Sequence, residues 1–177
     1  GDIFYWICRG GLVSVAEKFL EKLSSWDTRE KSTSTNNLEE NRALGKGWKL
    51  EILQSGLRAA CEFGHDKLVL MIMNEVEEAK DKIKICEDVM ELAVKSDRGP
   101  VVKVVVEHIV NIKKEIIDLA TERKVPEVID ILLEATTNES DKKRLELYSS
   151  DNIMKQAREQ KENFAKTDNI LMKVPKS

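Results

Sequence analysis

The hydrophobic positions of this chain recur in short stripes with helical spacing. Four stretches carry apolar residues at positions i, i+1, i+4 and i+5, which lie on one side of a helix with 3.6 residues per turn. Each stripe therefore predicts an amphipathic helix. The stripes are Val15, Ala16, Phe19 and Leu20; Leu68, Val69, Ile72 and Met73; Val101, Val102, Val105 and Val106; and Val128, Ile129, Leu132 and Leu133.

The third stripe presents a conflict. Its sequence, VVKVVV over residues 101–106, is β-branched and by itself would favour a strand. Its alignment with three helical stripes, and the apolar continuation to Ile109, favour a helix instead. We therefore predict helix here as well.

A shorter apolar segment precedes each stripe and ends in a pair of small or apolar residues. These pairs follow one another at offsets of 53, 33 and 27 residues, and the stripes keep the same three offsets. The sequence thus predicts four units, each made of two helices joined by a turn of constant length. The pairs are Ile7 and Cys8, Ala60 and Cys61, Ala93 and Val94, and Ala120 and Thr121. The predicted caps of the first helices are Asp2, Ser55 and Asp88, with Glu115 a poorer substitute.

The predicted turn has one position that suits a left-handed backbone. It is occupied by Gly11, Gly64, Asp97 and Lys124 in the four units. Glycine adopts this conformation freely, aspartate tolerates it and lysine does so poorly. Pro100 and Pro126 then fall in the first turn of their helices, where no backbone hydrogen bond is lost.

Two segments, ICRGGLVSVAEKFLEKL and AACEFGHDKLVLMIMNEV, resemble the AAxxGHxxVVxxLL half of ankyrin repeats. The offset of 33 residues between the second and third units is that family's period. The resemblance covers roughly residues 1–135 and implies an all-α fold, a short solenoid of about four helix-turn-helix units with a C-terminal capping helix. It departs from the family because no unit has the Thr-Pro-Leu-His signature or the Gly-Ala-Asp-Val-Asn finger, and the fourth unit is six residues short. Another helical-hairpin solenoid and an irregular helical bundle remain as alternatives.

The chain is expected to form one helical-repeat domain over residues 1–166. In the capping helix, Met154, Ala157, Phe164 and Ala165 are expected to share one stripe. The predicted segments are units at about 1–23, 48–79, 83–111 and 113–135, an insertion at 24–47, a cap at 139–166 and a frayed tail at 167–177.

The insertion at 24–47 allows two interpretations. It is polar and rich in Ser, Thr and Asn, which is typical of a disordered surface loop. In the ankyrin arrangement, however, an insertion at this place emerges on the side that commonly holds partners, and Trp26 and Trp48 stand at its margins. Tryptophan is enriched in binding hot spots.

Composition narrows the classes of partner. Hydrophobic residues make up 41% and charged residues 34% of the 177 residues, and the net charge of −3 is mixed along the chain, so no basic face for nucleic acid is expected. The longest apolar runs have six residues, which is too short to insert into a membrane. The three cysteines, Cys8, Cys61 and Cys86, form no CxxC pair and favour a reducing, intracellular (cytoplasmic) location.

Residues suited to catalysis are scarce. His65 and His108 have no His or Cys partner at i+3 or i+4 for metal binding, and His65 is expected to be a structural turn residue. Cys8 and Cys61 occupy the same repeat position and are expected to be buried. We therefore expect no enzyme activity, no cofactor, no catalytic residues and no metal site.

The leading prediction is a non-enzymatic protein-protein recognition module that binds another protein or peptide through the concave face of the repeat array. In ankyrin repeats the two residues after the small pair face this groove, whereas Glu17, Lys18, Lys103 and Asp130 look like a solvated outer face. The alternative is a structural, oligomerising or regulatory helical domain of a larger protein, so self-association stays open. The candidate partner-binding residues are Arg9, Gly10, Glu62, Phe63, Lys95, Ser96, Glu122 and Arg123, together with Trp26 and Trp48 from the insertion.

Overall fold

The computed structural model describes the backbone of residues 3–33 and 38–171, and within these ranges the side chains outside 26–46 and 166–171. All regular secondary structure in the described ranges is helical, which confirms the all-α prediction. The helices are α1 (Ile3–Arg9), α2 (Val13–Thr33), α3 (Leu38–Glu62), α4 (Asp66–Glu75), α5 (Ala79–Lys95), α6 (Gly99–Val106), α7 (Lys114–Arg123), α8 (Pro126–Ala135), α9 (Glu139–Glu146) and α10 (Ser150–Leu171).

The helices lie in two rows. In one row α1, α3, α5, α7 and α9 pack successively against one another, and in the other row α2, α4, α6, α8 and α10 do the same. Helices that are adjacent in sequence also contact each other in the first four pairs. This is the packing that stacked helix-turn-helix units produce, because each unit can bury its apolar side only against its neighbours.

The apolar stripes explain why these helices form and where they pack. All four stripe residues of α4 and of α6 are buried, so the β-branched run of α6 is helical, as predicted. The helix ends at Val106, before the apolar continuation to Ile109. In α2 the stripe is incomplete, because Val15 is 47% exposed while Ala16 and Leu20 are buried.

The turns between the paired helices match the prediction closely. Gly11, Gly64, Asp97 and Lys124 have φ values of 67°, 74°, 58° and 56°, all in the left-handed region. The prolines of α6 and α8 stand at the first or second helical position, where the ring costs no hydrogen bond. The four predicted units therefore share one turn geometry.

The predicted starts of the first helices of units two to four are wrong. Ser55 lies inside α3 and Asp88 inside α5, so neither residue caps a helix. The N-cap of α7 is Lys113, and Glu115 stands in the first turn. The residues before the expected starts are mostly good helix formers, which let α3 and α5 extend backwards. Asp2 lies outside the described residues.

The insertion at 24–47 is not a loop over most of its length. Helix α2 continues through Thr33 and α3 begins at Leu38, so only residues 34–37 fall outside the described backbone. The segment LEENRALGK consists mainly of residues with high helix propensity, which outweighs the polar character of the insertion.

The expected capping helix at 139–166 is instead a pair of helices, α9 and α10. Asn138 caps α9, since its Oδ1 accepts hydrogen bonds from the backbone N–H groups of Ser140 and Asp141 at 2.9 and 3.2 Å. Helix α10 runs through Leu171, into the tail that was expected to fray from Thr167. Its predicted stripe does not pack on the array: all four members are exposed, including Met154 at 57% and Phe164 at 73%.

Candidate binding surface

The turns that follow α1, α3, α5, α7 and α9 line up along one side of the molecule, which we call the turn edge (residues 9–12, 62–65, 95–98, 122–125 and 147–149). Each of these turns is contacted by the next one. His65 Nε2 lies 3.1 Å from the carbonyl oxygen of Arg9, and the side chain of Arg98 packs over Gly64.

The same pattern continues further along the turn edge. Arg123 donates from Nε to Asp97 Oδ1 at 2.6 Å and from a terminal nitrogen to the other carboxylate oxygen. The Lys124 ammonium lies 5.3 Å from the ring centre of Tyr148. The turn edge is therefore an ordered surface, held by contacts between successive units.

Aromatic and cationic side chains meet at the first two turns. The guanidinium carbon of Arg9 lies 4.9 Å from the ring centre of Trp6 and 5.1 Å from that of Phe63. We call these three residues the aromatic-arginine cluster. Trp6 is 59% exposed and Phe63 41% exposed. Two aromatic rings and an arginine thus stand together at the surface.

Arg9 and Phe63, both predicted to face the groove, contact each other in the structure, and Trp6, which sequence reasoning missed, joins them. Trp6 lies one turn before Arg9 on α1, a spacing that places two side chains on the same helix face. That spacing was a signal available in the sequence. Gly10 and Glu62 are exposed beside the cluster.

Three of the remaining candidates on the turn edge, Arg123, Lys95 and Ser96, already contact other groups of the chain. Arg123 forms the ion pair with Asp97, and the hydrogen bond that the guanidinium donates to this carboxylate raises the pKa of Arg123. Lys95 lies 2.5 Å from Glu91, and this hydrogen bond lowers the pKa of the Glu91 carboxyl. Ser96 Oγ donates to the carbonyl oxygen of Ala93 at 2.7 Å.

An open groove runs between α5 and α7. Lys95, Glu122 and Arg123 line it together with the acidic side chains of Glu91, Glu115 and Asp118. The groove is therefore charged, whereas the aromatic-arginine cluster lies at the first two turns. The predicted partner-binding residues of the turn edge consequently fall into two chemically different parts of the same side.

The structure separates Trp48 from the cluster. Trp48 is half-buried against the core near the middle of α3, and Glu62 ends that helix. At 1.5 Å per residue the two positions are about 21 Å apart, so Trp48 and Phe63 cannot contact one short ligand segment together. The side chain of Trp26 lies outside the described side chains.

The three cysteines are buried free thiols. Burial raises the pKa of the Cys86 thiol to about 12. The pKa of Cys61 is also raised above its ordinary value of 9.0, mainly by burial and in addition by the neighbouring Cys86. Cys86 Sγ lies 3.7 Å from Met73 Sδ. The two thiols therefore stay protonated at neutral pH and behave as small core residues.

His65 lies in its turn, as expected for a structural residue, whereas His108 follows α6 in the next turn. Within the described part of the chain, no group of three His, Cys, Asp or Glu side chains could hold a metal ion. Nor does any helix in that part combine the length and apolar character required to cross a membrane.

Comparisons with protein-family models, curated proteins and solved structures gave no match to this chain.

Proposed function

We propose that this chain is a non-enzymatic protein-recognition module and that its helix pairs form a divergent ankyrin-like solenoid. The partner is another protein or a peptide, and the principal contact is the aromatic-arginine cluster at the first two turns. The single observation that carries this proposal is the position of Arg9 between the rings of Trp6 and Phe63, at the exposed turn edge.

Physical chemistry supports binding at this cluster. Trp and Arg are among the residues that contribute most to protein interfaces, and aromatic rings bury large apolar areas on binding. Arginine normally loses rotamer freedom when it binds, and we infer that the contacts of Arg9 with the two rings favour one side-chain position before a partner arrives. Part of the entropic cost of association is thereby removed in advance.

The charged groove beside the cluster suits a different role. Its lysine and arginine already have acidic partners within the chain, so a ligand would have to replace these contacts. Exposed ion pairs of this kind contribute little free energy. We therefore assign orientation of the partner to this groove and most of the affinity to the cluster.

Two further features fit an intracellular recognition module. The array presents an extended edge, which suits a protein surface more than a small substrate. The cysteines remain free thiols, as is usual in a reducing compartment. We accordingly propose a cytoplasmic location.

The test is a binding titration with a peptide or protein ligand selected on the intact chain, for example from a displayed peptide library. Phe63→Ala and Arg9→Ala should each weaken binding by about 1–3 kcal/mol, roughly 5- to 150-fold. The matched controls are Leu70→Ala, an exposed apolar residue on α4, and Lys18→Ala, an exposed cation on α2. Both controls should change affinity much less.

Circular dichroism must show that all four variants remain folded. If the controls weaken binding as much as Phe63→Ala, the assignment to the cluster is wrong. If none of the variants changes affinity, the chain does not recognise that ligand through the turn edge.

A further inference from the structure

A small cavity lies where the loop between α6 and α7 meets α5. Its volume is about 230 Å³, and its apolar wall consists of Met90 on α5, Ile116 on α7, and Ile109 and Ile112 from the loop. We call this cavity the loop pocket. An apolar cavity of about 150 Å³ holds a benzene ring, so the loop pocket has room for one leucine, methionine or phenylalanine side chain.

The loop pocket lies inside the array. Met90 and Ile116 are 3% and 8% exposed, and Ile109 and Ile112 are half-buried against the core. Helix α5 also packs against α3, and α7 also packs against α9, so both helices already have a neighbour on each side in their row. The pocket therefore does not belong to the outer face of a terminal helix pair, and a further pair would not fill it.

The rim of the loop pocket is acidic. Glu87, Asp88, Glu91 and Glu115 line it, and Lys113 is the one cation among its lining side chains. All five side chains are exposed. Glu91 and Glu115 also line the charged groove between α5 and α7, so the pocket and the groove form one continuous surface.

The cations of the groove do not neutralise this rim. Lys95 and Arg123 each already have a carboxylate partner within the chain. In the part of the chain that the structure describes, neither Glu87 nor Glu115 forms an ion pair. The carboxylates around the pocket therefore repel one another, and a bound cation would relieve that repulsion.

An apolar cavity with an acidic rim selects one class of ligand. The acidic rim repels phosphate groups, which disfavours nucleic acids and anionic lipid headgroups. A peptide with one apolar side chain flanked by lysine or arginine satisfies both the cavity and its rim. Ammonium and guanidinium groups form charge-assisted hydrogen bonds with carboxylates, which are stronger than those between neutral groups.

We propose that the loop pocket and the adjoining groove bind a basic segment of a partner protein. One apolar side chain of this segment enters the pocket, and lysine or arginine side chains beside it contact Glu87 and Glu115. The inference rests on the proposed function in that the ligand belongs to a protein, and it adds the chemistry of the bound segment. It uses no residue of the aromatic-arginine cluster, so the two sites can be tested separately.

Synthetic peptides test this proposal directly. In each labelled peptide, one leucine, methionine or phenylalanine is flanked on both sides by two lysines, and fluorescence anisotropy measures its binding to the intact chain. The best of these peptides should bind at least about tenfold more tightly than versions with glutamate in place of lysine or serine in place of the apolar residue. Its affinity should fall as the salt concentration rises from about 0.05 to 0.5 M, because salt screens exposed charges.

A pair of double variants locates the site. Glu87→Gln combined with Glu115→Gln should weaken binding of the best peptide about 3- to 30-fold, since each exposed carboxylate contributes modestly. The matched control is Glu17→Gln combined with Glu21→Gln, which removes the same charge from exposed positions on α2 and should change the affinity much less. Circular dichroism should show both double variants folded, because all four side chains are exposed.

Three results would each overturn the proposal. These are no binding of the lysine peptides at millimolar concentration, equal binding of the glutamate or serine versions, and equal effects of the two double variants. Phe63→Ala should leave the affinity for these peptides unchanged. If the peptides bind as expected but Phe63→Ala and Arg9→Ala do not weaken the ligand selected on the intact chain, the cluster assignment fails and the loop pocket stands. The reverse outcome removes the loop pocket and leaves the cluster.

Discussion

The imidazole of His65 lies directly over Gly11 of the preceding helix pair. A Cβ atom on Gly11 would be 2.8 Å from His65 Cε1, and the glycine itself has a φ of 67°. The histidine therefore does two things at once: it approaches the carbonyl oxygen of Arg9, and it occupies the space above a residue that must lack a side chain.

Gly11→Ala should consequently destabilise the protein. The left-handed conformation alone costs a residue with a side chain about 1–2 kcal/mol, and the contact with His65 adds to this cost. Urea unfolding followed by circular dichroism measures the loss. The control is Gly10→Ala, where the nearest atoms to an added Cβ lie at 3.4 Å. Equal stability of the two variants would contradict the role assigned to His65.

The Gly56→Ala variant tests whether tight packing outweighs helix propensity within α3. Propensity alone predicts a gain of about 1 kcal/mol in a helix interior. However, the new Cβ would lie 2.3 Å from the ring of Phe4, which is fully buried and stacks on Phe19 at 4.8 Å. Overpacking of this kind costs about 1–3 kcal/mol, so we expect a net loss.

The matched control for this variant lies in the same helix. Gly47 is exposed, and no atom lies within 4 Å of an added Cβ. Gly47→Ala should therefore stabilise the protein by about 0.5–1 kcal/mol. A gain in both variants would show that α1 is not tightly packed against Gly56.

The buried thiols predict a loss of stability at alkaline pH. The pKa of Cys86 is raised from 9.0 to about 12 in the folded chain, so its contribution is complete below pH 9 and is lost as the pH rises from 9 towards 12. Between pH 7.5 and 9.5 the loss of this contribution should lower the free energy of unfolding by about 1 kcal/mol. Urea titrations of wild type and Cys86→Ala at both values check this, and the variant should lose less.

Lys124→Gly should stabilise the protein. Lys124 ends α7 in a left-handed conformation, φ 56°, which costs a lysine about 1–2 kcal/mol relative to glycine. Loss of the exposed contact with Tyr148 offsets about 0.5 kcal/mol of this gain. Thermal unfolding should therefore show a higher Tm, whereas Lys124→Ala keeps the strain, loses the contact and should show no gain.

Much of this fold could be predicted because the offsets between units tie distant positions together. A single apolar stripe such as that of α6 could belong to a helix or a strand. Four stripes and four turn residues at the same offsets, however, strongly restrict which segments can be helices and which can be turns. Lys124 illustrates the point: its residue type argues against a left-handed turn, and only the alignment with Gly11 and Gly64 identified it correctly.

The helix starts and the insertion could not be predicted by the same reasoning. Ser55 and Asp88 have good capping side chains, but capping contributes only about 1 kcal/mol, and favourable helix formers on both sides decide whether a helix continues. The pair formed by α9 and α10 was missed because its offset from the fourth unit was not recognised in the sequence. Its cap, Asn138, lies in the polar run TTNESDKKR, in which no single residue stands out as a helix start.

The arrangement of the candidate residues was predicted in part. Arg9 and Phe63 were placed on one side from the resemblance to ankyrin repeats, and they do contact each other. The engagement of Arg123 by Asp97 could not be foreseen, because it joins turns 26 residues apart through side-chain conformations that the register does not specify. Nor does the register indicate that Trp48 packs against the core.

The two-row packing of the helices also determines how the chain can open. Because the main contacts of each pair are with its neighbours, an inner pair such as α5 and α6 separates from two interfaces when it unfolds, whereas α9 and α10 separate from one. Opening is therefore least costly at the ends, and hydrogen exchange should be slowest in the middle of the chain and become faster towards both termini.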